Sequence, residues 1–146
     1  MMLPVTNSNR LVGAPLVAGS LFERSTVIIA LWIVNAILAL IFLAAGVMKL
    51  ARSREALASS GLAWTADASP GTVKAVGAVE VAGAVGLIAP LATGIAPILT
   101  PLAAIGLALT MIGAIVLHVR RHERFTVPVV LLVIAAASAA LGFAVR

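Results

Sequence analysis

One carboxylate stands inside an otherwise apolar run, Glu80, flanked by Val79 and Val81. An ionised carboxylate is expensive in hydrocarbon, so it must be protonated, paired or wetted. Lys74 precedes it by six residues, roughly 9 Å along a helix. Its helical neighbours are Gly77, Gly83, Ala84 and Leu87. Such a small-residue face admits a second helix closely, which turns Glu80 toward protein and away from lipid. An earlier apolar run carries a matching stripe at helical spacing: Asn35, Leu38, Phe42, Ala45, Gly46 and Lys49. Asn35 needs a hydrogen-bond partner in mid-membrane, and Lys49 ends the stripe. A later run puts Met111, Ala114 and His118 on one face. Lys49, Lys74, Glu80 and His118 therefore converge near one membrane surface. Such a cluster suits a ligand or proton site. It equally suits a structural ion pair that fixes helix register, with Lys49 or Lys74 reaching to Glu80. Asn35 fits an interhelical hydrogen bond better than a ligand contact. His118 and His122, four apart, are only two ligands, so no metal site is expected. With no cysteine there is no disulfide, thiolate site or thiol relay. Neither a paired carboxylate nor a nucleophile with its base is present. No catalytic residue is assigned, and no catalytic activity is expected of the chain by itself.

The elements that position these residues are membrane helices. Of 146 residues, 62% are hydrophobic and 10% charged, against about 45–50% and 25% in a soluble domain. So little charge cannot cover a water-facing surface. Spans of roughly 20 apolar residues run over residues 26–48, 73–89, 101–119 and 125–145. Ser69-Pro70 and Thr100-Pro101 are helix-start signals, and Pro128 sits in a first turn, where its missing N–H costs nothing. The first span is too long for the apolar core of a cleaved signal. The expected fold is all-α, a four-transmembrane-helix bundle over residues 26–146. Residues 1–25 form a tail, disordered or interfacial, whose apolar stretch is broken by Pro15. Residues 51–62 suggest a short amphipathic piece, and Trp64 an interfacial anchor.

Net charge is +5, but the basic residues flank apolar spans. They suit topology and anionic lipid headgroups, with no role in binding nucleic acid. Loops 49–74 and 120–124 hold seven of the ten basic residues, whereas loop 90–100 holds no charge. The basic loops are expected to be cytoplasmic, with both termini outside, in a multi-pass protein of the cell membrane.

Three runs resemble the DoxX and DoxX-like family of small four-helix membrane proteins. In FLAAGVMKL (42–50), Phe42, Gly46, Lys49 and Leu50 resemble the close of the family's first helix. In KAVGAVEVAGAVGLIAP (74–90), Gly77, Glu80, Gly83 and Pro90 resemble its second helix. In MIGAIVLHVRRHE (111–123), a small residue, His118 and basic residues resemble the end of its third. The likeness covers residues 26–146. It implies the same four-helix fold. The family is named for a small subunit of a terminal quinol oxidase linked to thiosulfate oxidation, and other relatives look like accessory or assembly proteins.

That resemblance implies an accessory subunit of a quinone-linked membrane redox system, with the polar cluster holding a quinone headgroup or meeting a partner oxidoreductase. Lacking cysteine and any flavin or dinucleotide fingerprint, the chain would not carry electrons alone. A second expectation is a non-catalytic assembly protein whose small-residue faces meet a membrane-protein partner or another copy. A third is a small proton-coupled transporter using Glu80. Topology is testable directly, because the chain has no native cysteine. Single cysteines at Ser59 and Ala92 should react with an impermeant maleimide from opposite sides of the membrane. Labelling of Ser59→Cys from outside intact cells would reverse the orientation.

Overall fold

The structure is a computed structural model that describes residues 9–145, with side chains described from residue 21. It contains α1 (Asn9–Ala51), α2 (Arg54–Ser59), a 3₁₀ turn (Ala63–Ala66), α3 (Pro70–Thr93), α4 (Leu99–Arg120) and α5 (Thr126–Ala144). The segments Leu21–Ala51, Pro70–Thr93, Leu99–Arg120 and Thr126–Ala144 are long and apolar enough to cross a membrane. The expected four-helix architecture therefore holds. Of the N-terminal tail, residues 1–8 lie outside the described residues. From Asn9 the backbone is helical through Pro15 and runs unbroken into the first span.

The start of α3 follows the expected signal, whereas α4 begins at Leu99, ahead of Thr100-Pro101, and Thr100 does not cap it. Ser69 accepts a hydrogen bond from the Thr72 amide, with Pro70 as the first helical residue of α3. The end of α3 lies beyond its expected limit at residue 89. The helix continues through Pro90 to Thr93 and stops at Gly94, which takes the left-handed conformation. Pro128 lies in the first turn of α5, where no intrahelical partner is lost.

The four long helices close a ring in which α1 and α4 each pack on α3 and α5. Leu38, Phe42, Leu87, Leu107, Met111 and Ala135 fill its centre. Ile33, Leu40, Leu109 and Val133 point outward, an apolar exterior that suits lipid. Asn35 is fully buried and ties three helices: its Nδ2 donates to the Leu87 carbonyl at 3.2 Å, and Ser138 Oγ donates to its Oδ1 at 2.5 Å.

At the crossing of α1 and α3, glycine faces glycine. A Cβ on Gly46 would lie 2.7 Å from the Gly77 carbonyl oxygen, and one on Gly77 would lie 2.9 Å from that of Gly46. Backbone meets backbone there, so nothing can swing aside. Gly83 differs, because its added Cβ would meet the buried Leu107 side chain, at Cδ2 (2.5 Å) and Cγ (2.6 Å), and no backbone atom. Gly46→Ala and Gly77→Ala should each lower stability by about 1–3 kcal/mol, the scale of overpacking. Gly83→Ala should cost less, and Val79→Leu, 49% exposed, nearly nothing. Denaturation in mild detergent gives the ranking. Equal losses at Gly77 and Gly83 would contradict the backbone contact.

Candidate functional site

Above that crossing, Lys49 and Glu80 meet. Lys49 Nζ donates to Glu80 Oε2 at 2.7 Å and to Oε1 at 2.9 Å. The two residues are only 5% and 4% exposed. The helical stripes account for the meeting: Asn35, Leu38, Phe42, Gly46 and Lys49 form the buried line of α1, and Val73, Gly77, Glu80, Ala84 and Leu87 that of α3. Removing one partner would strand the other in the bundle.

The remaining predicted residues take separate positions. Lys74 turns away from Glu80 and donates to the carbonyls of Lys49 (3.1 Å), Leu50 (2.5 Å) and Arg52 (3.3 Å). It thereby caps the C-terminus of α1, where carbonyls lack helical donors and the dipole favours a cation. His118 bonds through Nδ1 to the carbonyl of Ala114 in its own helix, 2.8 Å away. Its Nε2 lies 4.0 Å from Glu123 Oε2. Asn35 belongs to the bundle centre.

Lys49, Glu80 and His118 nevertheless share an open-sided cavity of about 680 Å³ lined by all four long helices and by the loop after α2. Ile41, Phe42, Met111, Leu117, Val127 and Leu131 form its apolar walls. The polar groups lie toward the basic end of the bundle, where Arg124 also lines the space. Gly61, Leu62 and Trp64 close it from the loop side.

Sequence reasoning missed that loop wall. Trp64, expected as an interfacial anchor, is 9% exposed and packs with Leu57 and Val73 in a small core of its own. Gly61, at φ 102°, permits the turn that folds this segment back. Thr65 Oγ1 donates to the carbonyls of Arg54 (3.0 Å) and Leu62 (2.8 Å), and Arg54 to that of Ala68 (2.7 Å). Across the opening, Arg121 bonds to Asp67, and at 2.7 Å to Glu123. The Asp67 bond, then the Glu123 bond, holds the guanidinium pKa above its ordinary value. Ser138 was also missed, although a lone hydroxyl in so apolar a helix itself calls for a buried partner.

A second cavity of about 510 Å³ lies at the other end, between Ile28, Leu31, Trp32, Leu91, Thr100 and Pro101. None of its described lining residues is charged. The Thr100 hydroxyl is buried and has no hydrogen-bond partner among the described residues. No group of three or more metal-ligating side chains occurs among the described residues.

Residues 33–140 match the family model described as the DoxX-like family. No match was found among curated proteins or solved structures.

The ion pair yields a double-mutant test. Lys49→Met or Glu80→Gln alone should destabilise by about 3–5 kcal/mol, the cost of a stranded buried charge. The double variant should recover most of that loss. Unfolding of all three in the same detergent measures it. Additive losses in the double variant would mean that the charges do not depend on each other.

Proposed function

Because the chain belongs to the DoxX-like family, we propose that it is an accessory subunit of a quinone-linked membrane oxidoreductase. Its cavity at Lys49 and Glu80 holds the quinone headgroup. The observation that carries this reading is a cavity with charged and hydrogen-bonding groups at one end and apolar walls along the rest. A quinone has the same division, with carbonyl acceptors on a ring and an apolar tail. Lys49 has three N–H donors, and Glu80 takes two. One remains for a ring carbonyl. Glu80 keeps the ammonium in place and neutralises it, so a neutral headgroup meets a neutral pair. His118 stands on the same wall, and Ile41, Phe42 and Leu131 offer the tail a path. When bound, the quinone would supply the two-electron chemistry, with its electrons exchanged through a partner protein.

In this reading the basic end faces the cytoplasm and the partner is another membrane protein. A non-catalytic assembly role is the competing reading, favoured by the exposed small residues Ala136, Ala137 and Ala140 on α5. A proton-coupled transporter fits less well. Glu80 would have to give up both Lys49 contacts in every cycle.

Protein purified in mild detergent should carry quinone in excess of protein-free micelles from the same membranes. The folded double variant Lys49→Met with Glu80→Gln should lose it at least about tenfold, the loss of one charge-assisted hydrogen bond. Quinone at the micelle background would refute the site. A double variant that folds, retains quinone and supports its partner system would leave the pair a purely structural element.

A further inference from the structure

The cavity has two kinds of wall. One comes from the four long helices, and the other is the folded segment that follows α2. That segment does not lie loose on the surface. Leu57 is fully buried beneath it, and Trp64 and Val73 complete its own small core. Thr65, also fully buried, ties it to Arg54. The Asp67–Arg121 ion pair joins its far end to the turn between α4 and α5. The segment is therefore a packed wall along the polar end of the cavity. Its aromatic member, Trp64, lines the same space as Lys49 and Glu80.

A planar ring needs more than a hydrogen-bond donor to be held in one orientation. An aromatic wall supplies dispersion and offset stacking over the ring face, which a donor at the ring edge cannot give. Of the other two aromatic rings among the described lining residues, Phe42 is packed into the centre of the four-helix core and His118 is tied through Nδ1 to the Ala114 carbonyl. We infer that Trp64 is the ring-stacking residue of this site, carried on a cover that Asp67 and Arg121 latch over the headgroup. The cavity would thus select flat, conjugated headgroups over saturated amphiphiles of similar size. This inference rests on the quinone reading, and goes beyond it by assigning the face contact and the selectivity to a loop residue.

The chain has two tryptophans, Trp32 and Trp64, and Trp32 lines the other cavity. Full-length Trp32→Phe therefore reports on Trp64 alone, and Trp64→Phe on Trp32 alone. Each is titrated with decyl-substituted benzoquinone in lipid nanodiscs, with bound quinone measured separately by equilibrium dialysis. Trp64 emission should be quenched saturably, with the midpoint that dialysis gives, while Trp32 emission should show no saturable loss at that midpoint. Trp64→Leu should bind about tenfold more weakly, and Trp64→Phe within about threefold of the native chain, as loss or retention of one aromatic contact requires. A saturated fatty alcohol of equal chain length should not displace the quinone. Saturable dialysis binding with unchanged Trp64 emission would overturn the stacking role and leave the quinone site standing. So would equal affinity in Trp64→Leu. Absence of saturable dialysis binding would overturn both. If Trp64→Leu does not fold, the emission comparison decides alone.

Discussion

A carboxylate in an apolar bundle can be neutralised by a proton, by water or by an opposite charge, and Glu80 has the opposite charge. Lys49 grips both of its oxygens with almost no exposure of either residue. Most of the local architecture is needed for that grip. Two helices must approach until their backbones touch, which Gly46 and Gly77 allow. The C-terminus of α1 must also be secured, and Lys74 does this by collecting its last carbonyls. Two lysines that look interchangeable in sequence therefore perform different work. One balances a charge, and the other ends a helix.

The arrangement is asymmetric along the bundle axis. At one end lie the ion pair and the cavity beside it, with a folded loop along one side. In the middle, Leu38, Leu107, Ala135 and the Asn35–Ser138 bond fill the interior. At the other end a cavity with no charged lining opens between α1 and the start of α4. The charged groups thus lie at the basic end, and the filled middle lies between the two spaces.

The parts legible in the sequence share one physical origin. Hydropathy marks the four spans because hydrocarbon tolerates little else. A basic partner for Glu80 was legible because small residues and charges recur together at helical spacing on two spans, but the choice of Lys49 over Lys74 was not. Asn35 was legible as a residue needing a partner, but not its partners. The Leu87 carbonyl is invisible to side-chain reasoning, and Ser138 is one hydroxyl among alanines. The cover over the cavity was the largest omission. Leu57, Leu62 and Trp64 read as the apolar side of a surface piece, since nothing local distinguishes burial in lipid headgroups from burial against α3. The Asp67–Arg121 pair decides that question, and it joins loops 54 positions apart in sequence. The extra turn of α3 beyond Pro90 was missed because a proline limits the helix only where its missing N–H has no tolerant neighbour.

The 31-residue separation of Lys49 and Glu80 also bears on how the protein enters its membrane. A ribosome delivers α1 first, and its charge-free apolar stretch can partition on its own. The second span to emerge carries a carboxylate, and a lone charged residue near a helix centre raises insertion cost by on the order of 3 kcal/mol. A waiting lysine on the preceding helix removes that obstacle. The counter-charge that Glu80 needs is thus carried on the span that precedes it in the chain.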